Sequence, residues 1–324
     1  MLTRLLIHWV MVVAIIAIGE RAAGAAPPAQ GCWSSACGST IAVAANLVSP
    51  QHVAVDGSSH VFVNDGGIRI IRFDTQGRCE LSWLLRPRSP QPDVTPSGLV
   101  VAPDGRLLIA DQAYGRVRIF SSAGDSLGFF VLNAPPIQPF GMALDRDGNL
   151  VITDEASPTV VRYTTDGTMI QQWSVASTGM PFAGALHGVA VDDSNFVYLV
   201  DRPDKKVFKY TLGGALVTSW GGPGTGTGQF GEVGQIVADH TGHIVVSDDG
   251  NSRIEVFDSS GNYLEEWGAP GSGDSEFSSP YGLAVDAFNN LYIADEFNNR
   301  ICKYGPGPVP ASRTSWGTLK MRYH

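Results

Sequence analysis

The sequence predicts an all-β fold, a six-bladed β-propeller of four-stranded antiparallel blades. Three observations predict it: a sixfold internal repeat, short apolar runs that each close on aspartate, and turn residues between the runs. The aspartates are Asp65, Asp111, Asp154, Asp201, Asp248 and Asp295, at spacings of 46, 43, 47, 47 and 47 residues. They end the runs VFVND, LLIAD, LVITD, VYLVD, IVVSD and LYIAD. Nine residues before them, Asp56, Asp145, Asp192, Asp239 and Asp286 close a second run, with Ala102 as the exception. Thirteen residues before them stand Gly98, Gly141, Gly188 and Gly282, replaced by His52 in the first copy and Gln235 in the fifth.

Each copy reads as four strands. In the fifth they are residues 235–238, 244–247, 253–257 and 263–267, and a turn occupies 239–242. β-Branched and apolar residues fill the strands, while Gly, Asp, Asn and Ser mark the turns. The outer strand ends on an aromatic ring, Trp83, Phe130, Trp173, Trp220 or Trp267, expected to pack between adjacent sheets. A single four-stranded sheet cannot bury both faces, so the copies must stack, and closing them into a ring leaves only short edges. Inner runs such as VAV, MAL and LAV alternate small and larger residues, which suits strands crowded around a channel.

The sixth copy lacks an outer strand directly after Tyr304. The C-terminal tail, residues 305–324, is expected to supply it through Trp316; the N-terminal segment, residues 26–47, offers Trp33 instead. Ahead of that segment, Arg4, an apolar run over residues 5–18 and the small residues around Ala23-Gly24-Ala25 read as a signal peptide spanning 1–25. The run is shorter than the roughly 20 residues that cross a membrane. A secreted or cell-envelope protein, periplasmic in a Gram-negative cell, with no transmembrane span in its mature chain is therefore expected. In such an oxidising compartment Cys32, Cys37, Cys79 and Cys302 are candidates for disulfides. Four cysteines allow three connectivities. A latch at the ring closure is one reading; a Cys32–Cys37 loop with two free thiols is the other.

The net charge of −9 becomes −10 once Arg4, Arg21 and Glu20 are removed (−9 − 2 + 1). With 22 scattered basic residues and no basic run, this disfavours nucleic acid and anionic membrane surfaces as partners. Hydrophobic residues at 44% and charged ones at 16% describe a folded chain rather than a disordered one.

The order Pro, x, Gly, apolar strand, Asp, turn, apolar strand, Ala-Asp, then Asn-x-Arg-Ile resembles the NHL repeat. FSSPYGLAVDAFNNLYIADEFNNRICKY (277–304) and QFGEVGQIVADHTGHIVVSDDGNSRIEVF (229–257) carry the resemblance most fully, and it extends over residues 48–304. It implies a propeller but no single function, since the family includes ligand-binding ectodomains, RNA-binding regions of ubiquitin ligases and lyases that finish peptide amidation.

In a four-stranded blade the loops entering the inner strand and those leaving the second strand share one face. The residues before the aligned glycines, Gln51, Ser97, Phe140, His187, Gly234 and Tyr281, should ring the channel mouth there, with His52 one position further on. Asp65, Gln112, Glu155, Arg202, Asp249 and Glu296 are expected around them. Polar and aromatic groups converging on a concavity make this the default binding site. Gln51, His52, Phe140, His187, Arg202 and Tyr281 are its candidate residues, for a protein, peptide or glycan ligand bound by a monomer.

The amidating lyases are similar in repeat and compartment, and that resemblance implies zinc held by histidines in Pro-His-Gly-like positions. Only His187 matches; His52 is displaced by one residue, which in a regular strand turns its ring to the opposite side. No cofactor is called for, and zinc or calcium in the central channel is the alternative. The strand-end aspartates suit structural ties to Arg116, Lys206, Arg253 or Arg300 better than calcium. WGGPGTGTGQF (220–230) lacks the Lys-Ser/Thr and helix of a phosphate loop and reads, with WGAPGSGDSEF (267–277), as a flexible connector. No G-x-S-x-G or H-E-x-x-H occurs, so no catalytic set is assigned. Glu155, Asp249 and Glu296 read as solvated loop charges rather than acid–base pairs. The sequence thus favours a non-catalytic binding scaffold over a propeller lyase or metal-dependent lactonase.

Overall fold

A computed structural model describes residues 29–33, 47–85, 95–133, 137–175 and 185–305. They form six sheets of four antiparallel strands, arranged as a six-bladed β-propeller. The innermost strands are Pro50–Val55, Pro96–Val101, Pro139–Leu144, Leu186–Val191, Val233–Ala238 and Pro280–Val285. Each begins a hairpin to the strand that ends in the repeating aspartate.

The core is divided among the blade interfaces. Among the described residues there are six buried apolar clusters, one between each pair of adjacent blades. Strand alternation explains this: in Val61–Asp65, Phe62 joins the cluster shared with blade two, whereas Val61 and Val63 join the one shared with blade six. The outer-strand rings pack as the repeat predicts. Trp83 meets Phe120, Phe130 meets Tyr163, Trp173 meets Tyr210, Trp220 meets Phe257 and Trp267 meets Tyr304, with centroids 4.9–6.3 Å apart. Gly261, at φ 86°, lies under the Trp220 indole, where a Cβ would overlap the ring.

Ring closure differs from expectation. The outer strand of the sixth blade is Ala29–Trp33, which pairs antiparallel with Arg300–Tyr304 and places Cys32 opposite Cys302. Arg300–Tyr304 has Leu291–Asp295 on its other edge, so no edge remains for a strand around Trp316. The tail beyond residue 305 and the signal-peptide segment lie outside the described residues. Joining the two ends of the chain in one sheet closes the ring with backbone hydrogen bonds rather than side-chain packing alone. Cys79 and Cys302 are both disulfide-bonded, which excludes the reading with two free thiols.

The strand-end aspartates are structural ties. Asp65, Asp111, Asp248 and Asp295 accept from Arg69, Arg116, Arg253 and Arg300 at 2.7–3.2 Å. Asp65, Asp154, Asp248 and Asp295 also accept the backbone N–H of Val48, Gln138, Gly231 and Ser278, which pins each incoming loop. The glycine-rich segments are held, not flexible. Arg253 donates to the carbonyls of Thr225, Gly226 and Gln229 at 2.6–3.0 Å, and Asn251 to that of Gly224. Arg300 and Asn298 repeat the clasp on residues 271–276. No helix among the described residues is long and apolar enough to cross a membrane.

Candidate functional site

All six inner strands carry a bulge. Pro50 pairs with Asp65 and Val53 with Val63, so Gln51 and His52 together oppose Asn64; the other blades repeat this register. Two residues facing one break strict alternation. His52 therefore does not turn away from the mouth as a regular strand would require. Its imidazole meets Tyr281 edge-on at 5.6 Å and Phe140 at 6.2 Å.

The bulge also explains the aligned glycines. A Cβ on Gly98 would lie 2.6 Å from the Phe140 carbonyl oxygen, and one on Gly141 or Gly282 would approach the carbonyl of His187 or Gln51 more closely still. His52 and Gln235 are the two side chains at this crowded position, and both reach Tyr281, Gln235 through a hydrogen bond to the phenol.

Above the bulges lies a cavity of about 330 Å³. Five of the six candidate residues line it: Gln51, His52, Phe140, Arg202 and Tyr281. The sixth, His187, stands behind the wall. It is 8% exposed, its ring lies 4.1 Å from that of Phe140, Nε2 is 3.4 Å from Glu155 Oε1, and Nδ1 has no hydrogen-bond partner. Short 3-10 turns at Gln112–Tyr114, Asp249–Asn251 and Glu296–Asn298 set Gln112, Asp249 and Glu296 on the rim. Asp65 does not join them: Gly66 holds the equivalent place, and the Asp65 carboxylate is buried against Arg69. Thr95, Ser279 and Phe297 also line the cavity and were not singled out in the sequence. Phe297, 69% exposed in a polar loop, was the legible signal among them. Below, His52 also borders a channel of about 230 Å³ walled by apolar inner-strand residues such as Val53, Leu99, Val189 and Leu283.

Burial governs the ionisation of the site. It pushes His52 down to about 4, with His187 adding to the effect. It pushes His187 down to about 4 as well, assisted by the Arg202 charge and opposed by Glu232. Both imidazoles are thus neutral at pH 7. Asp249 is pushed up to about 6 by burial, against Arg202 and with Glu232 and Asp248. Burial likewise holds the Tyr281 phenol well above its ordinary value. Arg202 is 3.4 Å from both Glu232 and Asp249, and its guanidinium lies 6.0 Å over the Tyr281 ring. Several polar groups are already engaged: Ser97 Oγ donates to the Pro139 carbonyl at 2.5 Å, Gln112 to Glu155, and Gln51 and Ser49 to Glu296. Among the described residues no three His, Cys, Asp or Glu side chains are grouped to hold a metal ion.

A family model described as a 6-bladed beta-propeller, DUF5128, matches residues 227–307, which span the fifth and sixth blades. No curated protein matches the sequence. Three solved structures show the architecture. A streptogramin B lyase superposes with a TM-score of 0.59 at 13% identity, over 84% of this chain and 96% of its own. A gluconolactonase from Xanthomonas campestris gives 0.60 at 17%, over 88% and 98%. A protein of unknown function from Bacteroides thetaiotaomicron gives 0.64 at 15%, over 81% and 70%. At these identities the likeness is one of fold: the chain is a six-bladed propeller whose relatives in shape include enzymes.

Proposed function

We propose that this chain is a non-catalytic binding propeller, working as a monomer outside the cytoplasm, that takes one residue of a peptide or glycan into its mouth. The cavity carries this reading. About 330 Å³ walled by Phe140, Tyr281 and a neutral His52, with a charged rim, is the size and composition of a small-molecule or side-chain pocket. A folded partner would need a broader apolar face. The neutral imidazoles support recognition over catalysis, because a base with a pKa near 4 is far from the pH at which a general base works best. The test is capture on peptide and glycan arrays by wild type and by a Phe140→Ala, His187→Ala, Tyr281→Ala triple variant. Loss of capture with an intact far-ultraviolet spectrum is expected; undiminished capture would move the site elsewhere.

A second reading, a propeller lyase or lactonase, is favoured by one observation, the unpartnered Nδ1 of His187 with Glu155 behind its other nitrogen. Turnover of a streptogramin B or of gluconolactone that disappears in His187→Ala would establish it in place of the binding reading.

A further inference from the structure

The charges around the mouth do not balance. Four carboxylates, Glu155, Glu232, Asp249 and Glu296, accompany two cations, Arg202 and Lys205. Glu232 engages both cations, at 3.4 Å from Arg202 and 3.3 Å from Lys205, and Asp249 Oδ2 shares Arg202 at 3.4 Å, so two cations serve four carboxylates. The groups that donate to Glu296, Ser49 Oγ at 2.7 Å and Gln51 Nε2 at 3.2 Å, are neutral. The Asp249 side chain lines the cavity at 10% exposure, and its Oδ1 has no hydrogen-bond partner. A buried carboxylate oxygen without a donor is costly unless a ligand brings one. Phe140, Tyr281 and Phe297 line the same space and present rings that attract cations.

We propose that the mouth seats its ligand through an ammonium group, that of a lysyl side chain of a peptide, with Asp249 and Glu296 as counter-charges and Tyr281 and Phe140 along its stem. The proposal rests on the binding reading above. A peptide is favoured over a glycan because Ser97, Gln112 and Gln51 already donate within the protein, leaving few donors for sugar hydroxyls. An aliphatic stem, by contrast, suits ring faces.

Calorimetric titration of the whole chain with Nα-acetyl-lysine methylamide, its norleucine counterpart and the uncharged sugar N-acetylglucosamine tests this. The lysine probe should bind at least about ten-fold more tightly than norleucine, the ratio a single desolvated charge contact supports. Glu296→Gln and Asp249→Asn should each erase most of that advantage while keeping the thermal midpoint, and added salt should weaken only the lysine probe. Equal binding of lysine and norleucine overturns the ammonium proposal and leaves the mouth as the binding site. Binding of N-acetylglucosamine alone overturns it in favour of a glycan. If no probe binds while array capture persists, the ammonium proposal fails by itself; if capture is also absent, the binding reading fails with it.

Discussion

Blades five and six differ from blade three in how they hold the loop that leads into them. In blade five, Asn251 and Arg253 donate to carbonyls of the preceding glycine-rich segment and are themselves held by Asp248, and Asn298 and Arg300, held by Asp295, do the same in blade six. In blade three, Asp154 accepts from Ser157 at 2.5 Å and from the backbone of Gln138 and Ala156. The repeat is therefore most complete where the chain clasps itself. It departs from its own pattern where the mouth is built. His52 and Gln235 replace glycine, and Arg202 stands where blades three, five and six carry Glu155, Asp249 and Glu296. The strand-end consensus residues in this molecule maintain the scaffold, and the positions that vary from blade to blade line the mouth.

Breaking the clasp should have the largest effect. Arg253→Ala removes the partner of Asp248 and Glu255 and the donor to three carbonyls, and should cost about 3–5 kcal/mol in urea unfolding, as expected when a buried charge loses its counter-ion. Ser157→Ala, which removes the blade-three contact, should cost only about 1 kcal/mol. Equal losses would show that the two blades are held alike after all.

The bulge comes next. Gly141→Ala forces a methyl against the His187 carbonyl and should cost about 1–3 kcal/mol by overpacking, with weakened capture because His187 backs Phe140. His52→Ala changes the corresponding position in blade one without crowding it. It should leave the free energy of urea unfolding within about 1 kcal/mol of wild type and impair capture alone. If both substitutions unfold the protein equally, the exceptions are as structural as the consensus.

The smallest effect is a pH slope. Glu255 is fully buried beneath the clasp, and burial pushes its carboxyl up to about 7, with Arg253 and the Gly228 N–H opposing. The folded state thus keeps a proton that the unfolded chain releases near 4.5. The stability this contributes is complete below 4.5 and is lost as pH rises through about 7. His52 and His187 act in the other direction, losing stability as pH falls from 6.5 towards 4, so the informative quantity is wild type minus Glu255→Gln. That difference in urea midpoint should shift against wild type between pH 5 and pH 8; a pH-independent difference would mean that Glu255 ionises normally.

Much of the site was legible because the repeat supplies a coordinate system. Gln51, Phe140, Arg202 and Tyr281 were found by counting from the repeating aspartates, and the structure sets all four around one cavity. His52 was a candidate for the mouth although strict alternation would turn its ring away; periodicity two holds only in an unbroken strand, and the bulge that keeps His52 at the cavity depends on pairing with the second strand. His187 was assigned to the ring by register, yet only packing reveals that its ring lies against Phe140 and does not line the cavity. The glycine-rich segments looked mobile from composition alone. Their carbonyls are held by Arg253 and Arg300, more than twenty residues downstream.

By itself the sequence determined that the protein is built from six copies of one antiparallel blade, which side chains end the strands, and which positions encircle the axis. These follow from local patterns that repeat and need no knowledge of distant neighbours. Tertiary structure alone decided that Ala29–Trp33 closes the ring. It also decided that His52 faces the mouth and that the imidazoles there are neutral. Each of these depends on which surfaces meet across the ring and on how much water they exclude. Strand pairing and desolvation are properties of contacts between segments far apart in the chain, and no single segment encodes them.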